Sequence, residues 1–126
     1  MARLHVVALD ARLPAWAEAA CAEYAKRMPK GYQVARTDAV PKKIRIVALD
    51  ERGQDLNTVQ FSALLKAETA FVIGGADGLQ AEVKAAAFML LRLSSLTLPH
   101  ALAQVVLLEQ IYRAATLLTG HPYHRA

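Results

Sequence analysis

The chain alternates between short, mostly apolar runs and longer stretches in which apolar residues recur every three or four positions. The runs are residues 4–9, 44–49 and 70–73. Runs of this kind read as strands buried on both faces, as in a parallel sheet covered by helices. Residues 4–9 are expected to be the first and central strand, and a shorter strand is expected at 32–35. Trp16, Ala20, Tyr24 and Met28 share one helical face, which predicts a helix over about 10–28 with that face on the sheet. Pro14 suits its first turn and Pro29-Lys30-Gly31 stops it. Asp55-Leu56-Asn57-Thr58 opens a short helix carrying Val59, Phe61, Leu64 and Leu65. Residues 79–87 read as an Ala-rich helix. Residues 94–100 have no helical period and read as a strand that opens into a loop.

The last helix, about 99–119, begins at Pro99 and ends at Gly120. Ala101, Val105, Leu108, Tyr112 and Ala115 form one apolar row; Leu107, Ile111, Ala114 and Leu118 form another. The main polar stripe is Glu109, Arg113 and Thr116. A helix apolar on most sides needs two neighbours, and in so short a chain the second is expected to be another subunit of an isologous dimer.

Composition narrows the class. With 126 residues there is room for one domain with a real core. Hydrophobic residues make up 55% but aromatic ones only 6%, which suits Ala- and Leu-rich helices on a small sheet. No uninterrupted apolar run reaches the length of a membrane span, and the first residues lack a signal-peptide core, so a cytoplasmic protein without a membrane partner is expected. Cys21 is the only cysteine, which excludes an internal disulfide or a cysteine cluster for zinc; it reads as core. The net charge of +4 permits a polyanionic partner such as RNA. Lys26, Arg27 and Lys30 form one basic group, and Lys42, Lys43 and Arg45 another.

Candidate chemistry gathers at three places. Gly74, Gly75 and Gly78 follow the run at 70–73 and precede a helix, the layout in which open α/β sheets bind ligands beyond their strand ends. The pattern is neither a dinucleotide fingerprint nor a P-loop, and both a ligand turn and an ordinary strand-to-helix turn remain open. His100, His121 and His124 have no metal-ligand spacing, so no metal is expected. Ser94 and Ser95 lack a nucleophile elbow. The tail 121–125 is the densest stretch, with two His, a Tyr and an Arg.

Three strings carry a resemblance: Phe71-Val72-Ile73-Gly74-Gly75-Ala76-Asp77-Gly78-Leu79, Leu93-Ser94-Ser95-Leu96-Thr97-Leu98-Pro99-His100, and Glu109-Gln110-Ile111-Tyr112-Arg113-Ala114 through His121-Pro122-Tyr123-His124-Arg125. Pro14-x-Trp16, Glu23-Tyr24-x-x-Arg27-x-Pro29 and Ile46-Val47-Ala48-Leu49-Asp50 agree. Together they resemble the ribosomal RNA large subunit methyltransferase H family of the SPOUT class, which methylates N3 of a pseudouridine. The resemblance implies an α/β fold, a parallel sheet flanked by helices with a C-terminal trefoil knot. It also implies a homodimer, S-adenosylmethionine as cofactor and large-subunit ribosomal RNA, within the assembled ribosome, as partner. Carried over by motif, the cofactor pocket comprises Leu49, Gly74, Gly75, Gly78, Leu93, Ser94, Ser95, Leu96, Thr97 and Leu98. The glycines would clear space for a bent cofactor. His124 is the candidate base, Arg125 or Arg113 would stabilise the uracil anion, and Tyr123 would stack on or bond the base. The alternatives are a non-catalytic RNA- or ribosome-binding module with a vestigial cofactor site, and a nucleotide-binding regulator of the flavodoxin-like kind.

The chain departs from that family in two places. Members carry a basic loop and a whole helix between the strand near Tyr32 and the strand at Ile44, and neither fits into residues 37–43. The helix near Phe61 is cut short before Ala70. These junctions read as segments joined across absent residues more readily than as a genuine deletion. A deletion would uncover apolar surface on one face of the sheet.

Overall fold

Five strands form one all-parallel sheet in the order β2-β1-β4-β3-β5. The computed structural model describes residues 2–9, 12–75 and 77–123. Along the chain run β1 (Ala2–Ala8), α1 (Ala15–Lys26), β2 (Tyr32–Thr37), β3 (Arg45–Asp55), α2 (Thr58–Ala63) with a 3-10 turn (Leu64–Lys66), β4 (Thr69–Ile73), α3 (Ala81–Ala86), β5 (Met89–Arg92) and α4 (His100–Thr119). The three apolar runs are strands, but the middle of the sheet is β4, with β1 beside it. Residues 94–100 hold no strand; the strand is the preceding Met89–Arg92. Its four residues are too few to show a period.

The first face of the sheet carries most of the core. Leu4, Val6, Val47, Phe71, Ile73 and Leu91 meet Leu107, Leu108, Ile111, Phe61 and Cys21 in one cluster. The face expected of α1 packs in part: Tyr24 and Met28 lie against the core, but the fully buried stripe is shifted by one position. Ala17 and Cys21 are buried, whereas Trp16 is 57% exposed. Two small residues let α1 approach its neighbours closely, and Trp16, one position earlier, is turned outward. Burial pushes the Cys21 thiol up from its ordinary value, as befits an inert core residue.

Both apolar rows of α4 are covered within the chain, by the sheet and by α1 and α2 alongside. Thr116 is buried too, its hydroxyl donating to the Arg113 carbonyl at 2.7 Å. The second neighbour of α4 is therefore internal, and the helix's apolar width does not by itself call for another subunit. By length and composition α4 is apolar enough to cross a membrane, but here it is the core helix.

The second face depends on a strap. Residues 38–44 leave the top of β2, where Thr37 pairs with Val7, and enter β3 where Arg45 pairs with Thr69. They cross three strand spacings of about 4.8 Å each, within the ~3.5 Å per residue that extended chain allows. On the way Val40 and Ile44 pack on Val7, Ala70 and Val72, together with Leu79 and Val83. The apolar surface that a missing helix would expose is thus covered by irregular chain, which turns at Lys43 with φ +62°. Arg45, grouped with the basic residues in sequence, is structural. Its Nη2 donates to the Leu64 carbonyl and to Thr69 Oγ1, both at 2.9 Å, and its guanidinium lies 4.5 Å from the Phe88 ring centroid.

β3 is interrupted. Leu91 pairs with both Leu49 and Gln54, so residues 50–53 loop out of the ladder. The Arg52 N–H closes that loop on Asp50 Oδ1 at 2.7 Å. Where the chain returns, a Cβ on Gly53 would stand 2.7 Å from backbone atoms of Leu90 and Leu91. Only glycine allows that approach. Helix α3 buries no residue completely and is tied down by Val83 and by Lys84 Nζ, 2.7 Å from Asp50 Oδ2.

Two outcomes follow. Gly53→Ala forces backbone apart and is expected to cost roughly 1–3 kcal/mol, as overpacking does, in urea denaturation. The Lys84 hydrogen bond, then the Arg52 N–H, holds the Asp50 carboxyl below its ordinary value. Its folded pKa is lower than its unfolded one, so the pair stabilises above the unfolded value of about 3.9 and is lost as pH falls through the folded value. Lys84 is 40% exposed, so Lys84→Met is expected to cost at most about 1 kcal/mol at neutral pH. That difference from wild type disappears in acid.

Candidate cofactor pocket and tail cluster

All five strands run the same way, so the bulge of β3 at 50–53 and the loops that follow β4 and β5 lie at one edge of the sheet. They enclose a cavity of about 590 Å³, within the ~300–1,000 Å³ usual for small-molecule sites. Leu49 stands on its β3 wall, Gly74, Gly75 and Gly78 on the turn after β4, and Leu93, Ser94, Ser95, Leu96, Thr97 and Leu98 on the loop after β5. Every residue assigned to the cofactor by motif lies on this one cavity.

The glycines have a reason of their own. A Cβ on Gly74 would sit 2.5 Å from the Gly78 carbonyl carbon and 2.7 Å from the Leu79 nitrogen. Gly78 has φ +78°, and its N–H donates to the Gly75 carbonyl at 2.9 Å. The turn closes on itself, so Gly74 is needed for backbone contact within the turn in addition to any clearance for a ligand. On the opposite wall Ser94 Oγ accepts from the Leu96 N–H at 2.9 Å. This local turn leaves Leu96 75% exposed at the cavity's rim.

The cavity also has a polar wall that the apolar pattern did not indicate. Asp50, Glu51, Arg52, Arg92 and His100 line it. Asp50 is engaged by Lys84, and Arg92 Nε donates to Asp55 Oδ1 at 2.7 Å. Glu51 and Arg52 carry no ion pair among the described residues. His100, in the first turn of α4, is 2.8 Å from the buried Gln104 amide. The available signal was the charged sequence 50–52 directly after a strand, at the edge where open sheets bind ligands. Among the described residues no three His, Cys, Asp or Glu side chains are grouped to hold a metal.

The residues expected to act on the substrate lie elsewhere. Arg113 is thirteen residues along α4 from His100, about 20 Å at the helical rise. There Arg113 Nη2 and the Tyr123 hydroxyl both donate to Glu109 Oε2, at 2.6 and 2.7 Å. The Tyr123 ring is 4.6 Å from that of Tyr112, and the Arg113 guanidinium 5.1 Å from the Tyr123 centroid. The Glu109 hydrogen bond raises Arg113 above its ordinary value. It also raises the Tyr123 phenol strongly, with burial adding to it. Arg113 and Tyr123 are brought together, and within one chain they stand apart from the cavity. His124 and Arg125 lie outside the described residues.

The family description "Predicted SPOUT methyltransferase" matches residues 33–124. Ribosomal RNA large subunit methyltransferase H of Paraburkholderia xenovorans is 42% identical over 154 positions, covering 98% of this chain and 99% of that protein. The protein of the same name from Burkholderia thailandensis is 43% identical with the same coverage. These alignments are longer than the 126 residues here, so the relatives hold segments that this chain lacks. Among solved structures, a Bacillus anthracis protein described as an RNA methyltransferase superposes with TM-score 0.62 at 17% identity, covering 98% of both chains. The SpoU methyltransferase AviRb of Streptomyces viridochromogenes, solved with AdoMet, gives TM-score 0.55 at 14% identity, covering 99% of this chain and 59% of that one. The structural likenesses establish the fold. With the sequence matches over nearly the whole length, the chain belongs to the SPOUT methyltransferase family and, within it, to the ribosomal RNA large subunit methyltransferase H group.

Proposed function

We propose that this chain transfers a methyl group from S-adenosylmethionine to N3 of a pseudouridine in large-subunit ribosomal RNA, on the assembled ribosome in the cytoplasm. The observation that carries the reading is the convergence of the β3 bulge and the loops after β4 and β5 on one cavity, with all the motif-assigned residues on its walls. The walls fit such a cofactor. Leu49, Leu96 and Leu98 offer apolar contacts for an adenine ring, and the backbone of 93–98 offers hydrogen bonds to its edge. Glu51 and Arg52, neither in an ion pair among the described residues, suit an ammonium and a carboxylate. The C-terminal segment is taken to thread the loop as a trefoil knot, which agrees with the pocket's being built from the turn after β4 and the loop after β5 together.

When bound, the cofactor supplies an electrophilic methyl on sulfur for in-line displacement. The chain's own residues have three tasks. The cavity orients the methyl and excludes water. His124 would take the proton from N3, freeing that nitrogen to accept the methyl group that the cofactor would supply. Arg125 or Arg113 offsets the charge on the uracil anion. The ~20 Å between Arg113 and the first turn of α4 favours a homodimer in which one chain's tail serves the other chain's cavity. Leu102, Val106 and Leu117 recur along α4 with partial exposure, and they give such a dimer an apolar seam.

Incubation with methyl-labelled S-adenosylmethionine and 70S ribosomes is expected to label one large-subunit pseudouridine as its N3-methyl form, with little label on free ribosomal RNA. Cofactor binding without label on any ribosomal RNA would instead mark a binding module with a vestigial site.

A further inference from the structure

A carboxylate that accepts several hydrogen bonds at once fixes the groups that donate them. Glu109 is such a group. Its Oε2 accepts from Arg113 at 2.6 Å and from the Tyr123 hydroxyl at 2.7 Å, and its Oε1 accepts from Gln110 Nε2 at 2.6 Å. Arg113 and Gln110 belong to the same helix, but Tyr123 comes from beyond its end. The path to it is pinned twice more. Gly120 turns the chain in the left-handed region at φ +75°, and the His121 N–H donates to the Thr116 carbonyl at 3.0 Å. The Tyr123 ring is held as well, by Tyr112 at 4.6 Å and by the Arg113 guanidinium. Tyr112 in turn rests 5.8 Å from Tyr24 of α1. Chain ends fray unless they are tied down, and this tie is made one residue before His124.

We propose that Glu109 is a positioning residue for the tail: one carboxylate holds the Tyr123 hydroxyl and the Arg113 guanidinium, so that Tyr123 is a fixed peg one residue before His124. Its hydroxyl is committed to Glu109, so Tyr123 is not the general base. The charged and titratable groups around its phenol are Glu109 and Tyr24, which disfavour the phenolate, and Arg113, which favours it. The hydrogen bond to Glu109 outweighs Arg113, and Tyr123 stays a donor at neutral pH.

The test uses the full chain with Tyr123→Phe and Glu109→Gln. Tyr123→Phe keeps the ring and its packing, so it isolates the hydroxyl. Carboxypeptidase trimming of the last residues is expected to be about tenfold faster in both variants, the order expected for one hydrogen bond to a charged group. In absorbance titration, the tyrosine missing from Tyr123→Phe is expected to ionise at lower pH in Glu109→Gln than in wild type. S-adenosylmethionine affinity is expected to hold within about twofold while kcat for ribosome methylation falls about tenfold or more. Unchanged trimming together with an unchanged titration overturns the tie. A lost tie with unchanged kcat overturns the positioning role. The role rests on the methyl-transfer reading only for the kcat measurement. If wild type transfers no methyl, that reading fails, while trimming and titration still decide whether Glu109 holds the tail.

Discussion

The burial of β4 on both faces is the constraint on which the rest of the molecule depends. All five residues from Thr69 to Ile73 are buried between β1 and β3. Phe71 and Ile73 must be covered on one face, Ala70 and Val72 on the other. The first demand is met by α1, α2 and α4. The second is met by the strap at 38–44 and by α3, a thinner cover in which irregular chain takes the place of a long helix. A parallel strand closed on both sides has one place left for a ligand, beyond its C-terminal end. The cavity is there.

The same economy shapes the site. Gly53 and Gly74 both let backbone touch backbone, one where the loop after Asp50 rejoins β5 and one where the turn after β4 closes on Gly78. The walls of the cavity are therefore set largely by main-chain contacts, and side chains such as Leu96 and Arg52 project from a fixed frame. At the opposite end of α4 the order is reversed, because side chains fix the main chain. Glu109 and the Tyr24–Tyr112–Tyr123 ring contacts hold residues 121–123, which lie outside any helix or strand. Pocket and tail are thus separate constructions, joined by one helix.

The strands were legible because runs such as 44–49 and 70–73 are apolar on both faces, a pattern that short surface helices do not show. The fully buried stripe of α1 was not. Trp16 and Ala17 are adjacent, and choosing between their stripes needs the closeness of α4, which favours the smaller residue. The width of α4 was read correctly as calling for two neighbours, but α1 and α2 supply the second, and periodicity carries no record of which chain a neighbour belongs to. The loop at 93–98, on the wall of the cavity, has no intrinsic signature, and its assignment rests on family likeness. Asp50, Glu51 and Arg52 lay one step beyond a recognised strand, in a bulge that depends on a glycine–backbone contact with β5.

The central claim is that the cavity at the C-terminal edge of the sheet is the methyl-donor site. Isothermal titration of the full chain with S-adenosylmethionine, beside a Leu96→Arg variant, tests it most directly. Leu96 is exposed and outside the core, so the variant folds as wild type does. The account predicts saturable binding to wild type and its loss in Leu96→Arg at an unchanged melting temperature. Equal affinity in both proteins, or no binding to wild type, would contradict it.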